Sequence, residues 1–110
     1  MTERLPAPLE PLGGAARPGV AAAEERLQAH GVSASAWSNG PGDRYGAHEH
    51  GTTKLLVCAE GSITFLIGPD AHPVELNAGD GVVLPARTRH AAVVGPRGCI
   101  CLEGHRPADG

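Results

Sequence analysis

The chain has 110 residues, which suits one compact domain, and its formal net charge at pH 7 is −3. Its nine lysines and arginines form no run, and nucleic-acid and acidic-lipid surfaces both need clustered positive charge. No apolar stretch approaches the roughly 20 residues that span a bilayer, and no apolar signal core follows the N-terminus. We therefore expect a cytoplasmic protein without a nucleic-acid or membrane partner.

The first part of the chain divides into a tail and a helix. Residues 1–19 are rich in Pro, Gly and Ala, which disfavours helix and sheet and predicts a flexible or draped tail. Residues 20–29 are good helix formers, and Gly31 follows as a C-terminal cap. The predicted helix has apolar residues spaced by three and four, which we expect to pack: Val20, Ala23 and Leu27.

From residue 32 onward, short apolar or alternating runs are separated by turn residues, a pattern typical of an all-β sandwich or barrel. Nothing between the runs looks like a crossover helix, which favours antiparallel pairing. The glycines and prolines at 68–70, 78–81 and 95–98 predict turns. The predicted strands are 32–37, 46–50, 54–59, 63–67, 74–77, 82–84, 90–94 and 99–102.

Three of the six histidines have an informative arrangement. His48 and His50 are two residues apart, so on a strand both side chains share one face. His90 begins a later apolar strand. Imidazole is the commonest protein ligand for transition metals, and three histidines with open coordination positions suit a catalytic or exchangeable ion. Surface or hydrogen-bonded core histidines are the alternative interpretation of this pattern.

The spacing around these histidines resembles the two motifs of the cupin superfamily. The first motif runs Gly42, His48, His50, Lys54 and Gly61 over residues 42–61, with Lys54 at the family's Glu position. The second occupies residues 79–94 and runs Gly79, Pro85, Arg87, His90 and Val94, with Arg87 at a Gly position and Val94 at an Asn position. The resemblance also includes a hairpin at 60–62.

The resemblance implies an antiparallel double-stranded β-helix, a cupin or jelly-roll barrel, formed by residues 20–110. It also implies a divalent transition metal (Zn, Fe, Ni or Mn) held by His48, His50 and His90. The similar proteins are small single-domain bacterial cupins, commonly dimeric. Exposed sheet edges favour the same assembly, so we expect a homodimer, for which light scattering is the test.

Lys54 stands where the family has a carboxylate ligand, and three interpretations of it stay open. It pairs with an acidic residue (Asp43, Glu49 or Glu60) while three histidines hold the metal, as in thiol-dioxygenase-like cupins. It is a neutral amine that acts as a base or anchors a substrate. Or its charge replaces that of the metal and leaves a metal-free pocket.

We expect four further residues to line the pocket: Leu56, Cys58, Arg87 and Val94. Leu56 and Cys58 share strand parity with Lys54, although an inert core thiol is an alternative for Cys58. Arg87 either binds an anionic substrate or is an exposed turn residue. With three aromatic residues in the chain, few stacking surfaces are expected in the pocket.

Three functions remain open at this point, the third being a purely structural dimer whose pocket has no function. In the first, the metal supports dioxygenase-type or isomerase-type chemistry on a small polar molecule. In the second, the chain binds or senses a small ligand without metal and without catalysis. Fold alone does not decide between them.

Overall fold

The computed structural model describes residues 5–107 and shows an antiparallel sheet rolled into a barrel, with one short helix. The first strand, β1, is Glu10–Pro11, and the helix α1 follows at Val20–Ala29, as predicted. The remaining strands are β2 (Ser35–Asn39), β3 (Arg44–His48), β4 (Thr52–Ile67), β5 (His72–Asn77), β6 (Gly81–Leu84) and β7 (His90–Pro107).

The two longest strands, β4 and β7, pair along their whole length and organise the barrel. On its other edge, β4 pairs first with β6 and then with β5, whereas β7 pairs with β3 and then with β2. Every one of these pairings is antiparallel, as expected. Each long strand unites two of the runs that the sequence analysis separated.

The predicted hairpin at 60–62 and turn at 95–98 are therefore wrong, because both segments lie inside strands. The ladder shifts register around Gly61, and Gly61 and Gly98 have φ of 73° and 77°. A Cβ on Gly61 would lie 2.0 Å from the Gly98 carbonyl oxygen. These glycines thus form a bulge that bends the paired strands, where local sequence suggested a chain reversal.

Strand alternation gives the sheet two buried faces. The interior contains Leu56 and Cys58 of β4 together with residues from the other strands, as parity predicted. The outer face carries Leu55 and Val57, which pack under α1. On the helix, Ala23 and Leu27 are buried, but Val20 is 38% exposed, so its predicted packing is wrong.

The prediction that residues 1–19 form neither helix nor sheet is wrong at Glu10–Pro11, which pairs with β6. Pro11 is tolerated because β1 is an edge strand. Leu9 and Leu12 on either side are buried, so apolar burial holds this segment against the barrel. Residues 1–4 of the predicted tail and 108–110 of the predicted domain lie outside the described residues.

Hydrogen bonds from Arg26 of α1 hold the N-terminal segment against the barrel. Its guanidinium donates hydrogen bonds to the carbonyl oxygens of Leu12 (2.6 Å), Gly13 (3.2 Å) and Gly79 (2.8 Å). Burial lowers the pKa of Arg26, against the opposing effect of Asp80. The Arg26 side chain therefore links α1 to the N-terminal segment and to the turn at Gly79.

We expect Arg26→Ala to lower the free energy of unfolding by about 1–3 kcal/mol, because it leaves partly buried carbonyls without their donor. Urea denaturation followed by circular dichroism measures the change. Arg17→Ala is the matched control, since the Arg17 guanidinium makes an exposed 3.8 Å contact with Glu25. Equal losses in the two variants would contradict the role given to Arg26.

A search of residues 5–107 for a helix long and apolar enough to cross a membrane finds none.

Candidate functional site

The three predicted histidines meet at one end of the barrel interior. His48 ends β3, His90 begins β7, and His50 lies in the loop after β3 rather than on the predicted strand. Ring nitrogens of the three residues, one from each, lie within 4.8 Å of one another. Small side-chain rotations would bring them to the bond lengths of about 2.1 Å that a first-row metal needs.

The hydrogen bonds of the imidazoles decide which nitrogens face this space. Nδ1 of His48 lies 2.6 Å from the Gly46 carbonyl oxygen, and Nδ1 of His90 lies 2.8 Å from that of Thr88. A carbonyl only accepts, so each Nδ1 carries the proton and each neutral ring keeps a lone pair on Nε2. Fixing the tautomer through the second nitrogen is what metal-binding histidines do.

His50 supplies the third lone pair. Its Nε2 is buried and has no hydrogen-bond partner among the described residues. Burial, followed by the nearby charges of Lys54 and His48, lowers the pKa of His50. Burial also lowers the pKa of His90, which is 2% exposed. Neutral imidazoles are the form that binds metals, so the donor set fits a divalent ion.

Lys54 lies beside the histidines and is 8% exposed. Its Nζ lies 3.3 Å from Oε1 of Glu103, and the other Glu103 oxygen accepts from Nε2 of His105 at 2.7 Å. Trp37 donates from its indole nitrogen to Glu103 at 2.7 Å. Lys54 therefore has an acidic partner, but none of Asp43, Glu49 and Glu60 is that partner.

Glu103 is the residue that the sequence analysis missed. Burial alone would raise the pKa of Glu103, but the bond from His105, the Lys54 charge and the Trp37 bond outweigh it and lower the pKa. The half-buried carboxylate is thus ionised and offsets the Lys54 charge. Strand alternation could have placed Glu103 in the interior, because it follows the interior residues Cys99 and Cys101 by steps of two. The predicted strand, however, ended at residue 102.

A cavity of about 280 Å³ opens over the histidines. The expectation of few stacking surfaces is wrong, because all three aromatic residues of the chain line this cavity: Trp37, Tyr45 and Phe65. Trp37 and Tyr45 meet edge to face at 5.8 Å between ring centroids. The cavity therefore has a polar floor of imidazoles beside an aromatic wall.

The four residues predicted to line the pocket lie elsewhere. Leu56, Cys58 and Val94 point into the barrel as parity requires, but they belong to the packed core. Each step of two along a strand adds roughly 6.6 Å, which places them beneath the histidine level. Cys58 is a free, buried thiol, in agreement with the core alternative.

Arg87 lies outside the histidine cavity, yet its backbone supports the site. It adopts φ of 62°, the left-handed angle expected at a glycine position. Its N–H donates to the His50 carbonyl oxygen at 2.7 Å. Residues 87 and 88 therefore hold His50 and His90 through main-chain atoms.

No protein-family model and no curated protein matches the chain, but many solved structures do. The crystal structures of the DMSP lyases RdDddP and RnDddQII include a chain 27% identical, with a TM-score of 0.63 over 70% of this chain and 39% of that chain. DMSP lyase DddQ from Ruegeria pomeroyi is 25% identical, with a TM-score of 0.61 over 68% of this chain and 38% of that one.

An RmlC-like cupin from Shewanella frigidimarina is 26% identical, with a TM-score of 0.60 over 70% of this chain and 67% of that chain. The chain thus spans well under half of the lyases but two thirds of this cupin. The rolled antiparallel sheet and these neighbours show that the chain has the fold of the small cupins.

Proposed function

We propose that the chain binds a divalent transition metal (Zn, Fe, Ni or Mn) through His48, His50 and His90, and binds or transforms a small polar molecule beside it. The observation that supports this most is the buried Nε2 of His50, which has no hydrogen-bond partner within residues 5–107 and lies next to two imidazoles whose tautomers leave Nε2 as an acceptor. A buried acceptor without a partner is costly unless a ligand satisfies it.

When bound, such an ion supplies Lewis acidity toward the small molecule or, as iron, dioxygen chemistry. The protein's own side chains bind and position the small molecule. Lys54 offers N–H donors to a polar group in the cavity, while Glu103 holds the ammonium in position. Trp37, Tyr45 and Phe65 give the cavity apolar surface beside the imidazoles. The resemblance to two DMSP lyases supports an enzymatic role of this kind.

A second candidate is a metal-free pocket that binds a small ligand without catalysis. The observation that favours it is Lys54, whose positive charge lies beside the three histidines and would repel a dication. Against it stands Glu103, which offsets that charge at 3.3 Å. The two candidates differ in whether a metal binds at all.

Titration of untagged protein with Co²⁺, followed by visible absorption, separates the candidates. We expect bands of a histidine-bound ion that saturate at one equivalent, and the same result for His72→Ala, because His72 is exposed on β5. An absence of saturable bands would reject the metal centre and leave the metal-free pocket.

Lys54 provides a second test of the same site. We expect Lys54→Ala to raise metal affinity by about tenfold, because it removes a nearby positive charge and leaves the Glu103 carboxylate. Lys54→Glu is expected to raise it further, since it adds a ligand oxygen. Competition titrations with a chelator measure both, and Arg97→Ala is the exposed-cation control. Unchanged affinity in both Lys54 variants would mean that the Lys54 charge does not act on the site.

A further inference from the structure

A second cavity, of about 430 Å³, lies on the other side of the loop that precedes His90. Its walls include Pro8 of the N-terminal segment and Pro69 of the β4–β5 turn. Its charged and polar lining residues are Asp70, His72, Arg87, Thr88 and Arg89. None of these lines the histidine cavity.

The charges of this second cavity are unbalanced. Arg87 and Arg89 bring two guanidinium groups against one carboxylate, that of Asp70. Within residues 5–107, neither guanidinium forms an ion pair or a side-chain hydrogen bond. Two free, forked donors beside a cavity are suited to bidentate contacts with carboxylate or phosphate oxygens.

The backbone at Arg87 is also unusual. A φ of 62° is disfavoured for any residue with a Cβ, and glycine would adopt it without strain. Strained non-glycine residues cluster at ligand-binding positions, where the side chain has a use. Arg87 holds this conformation next to a second arginine, Arg89, and both line the cavity. A ligand-binding role of the Arg87 side chain would account for the strained backbone.

We propose that this cavity is a second ligand site, which binds the oxyanion group of a small molecule through Arg87 and Arg89. The loop that carries both arginines also holds the histidine site, since the Arg87 N–H bonds to His50 and the Thr88 carbonyl accepts from His90. Binding at the arginines therefore changes the environment of the two imidazoles. The inference does not depend on a metal.

The test is a titration of untagged protein with inorganic phosphate and, separately, with citrate, at constant ionic strength. Calorimetry gives the affinities, and NMR of the backbone amides locates the binding. We expect saturable binding of at least one anion, with shifts at residues 87–90, and the tighter anion shows whether phosphate or carboxylate is preferred. The double variant Arg87→Gln/Arg89→Gln is expected to bind at least tenfold more weakly.

Arg97→Gln is the matched control, because Arg97 is exposed and lies outside this cavity. We expect it to bind as tightly as the unchanged protein. The proposal is overturned if neither anion binds saturably, if the double variant binds like the unchanged protein, or if Arg97→Gln loses as much affinity. Anion binding located instead at the histidine cavity would overturn it as well.

Discussion

His90→Ala is expected to lower the affinity for a divalent metal by more than about a hundredfold. Loss of a residue that only orients a ligand typically weakens binding 10–100-fold, and removal of a ligand itself should exceed that. His90 is the most buried of the three histidines, and its ring orientation is set by the Thr88 carbonyl. Calorimetric titration with Zn²⁺ against a competing chelator measures the change.

The control for this variant is His72→Ala, which removes an exposed imidazole and is expected to leave affinity unchanged. A thermal melt of both proteins without metal checks that the His90 variant is folded. If folded His90→Ala binds Zn²⁺ as tightly as the unchanged protein, His90 is not a ligand.

Gly61→Ala is expected to lower the free energy of unfolding by about 2–5 kcal/mol, or to prevent folding. Two costs add at this position. A residue with a Cβ pays about 1–2 kcal/mol for the left-handed conformation at φ of 73°. The new methyl group also lies 2.0 Å from the Gly98 carbonyl oxygen, so the bend in β4 and β7 must shift, at about 1–3 kcal/mol.

Gly68→Ala separates the two costs. Gly68 has φ of 76°, but a Cβ there would meet nothing within 4 Å, so we expect a loss of about 1–2 kcal/mol. Chemical denaturation of the two variants gives the difference directly. Equal losses would mean that the close approach to Gly98 does not constrain the barrel.

The sequence predicted those features that depend on local spacing. Residue parity on β4 placed Lys54, Leu56 and Cys58 on one interior face, and the two-motif spacing brought His48, His50 and His90 together. The helix Val20–Ala29 followed from propensity and its capping glycine. The parity and helix inferences used residues close together in the chain, where period and backbone preference are informative, whereas the meeting of His90 with His48 and His50 was implied by the resemblance to the two cupin motifs.

Features that depend on strand register were not predictable in the same way. Glu103 reaches Lys54 because β4 pairs with β7 in a register that sets Leu56 opposite Glu103. The glycines at 61 and 98 looked like turn residues, but the partner strand turns them into a bulge. Which interior residues reach the pocket was also not predictable. Strand alternation tells which face of the sheet a residue lies on, but not how far along the barrel axis it lies.

The central claim is that the imidazoles of His48, His50 and His90 form a metal site, and metal analysis of protein purified without a histidine tag tests it most directly. The protein should be measured as isolated and again after incubation with Zn²⁺, Fe²⁺, Ni²⁺ and Mn²⁺ followed by removal of unbound ion. We predict about one equivalent of a divalent transition metal per chain, lost in His90→Ala and kept in His72→Ala. Protein that stays metal-free under all of these conditions would contradict the claim.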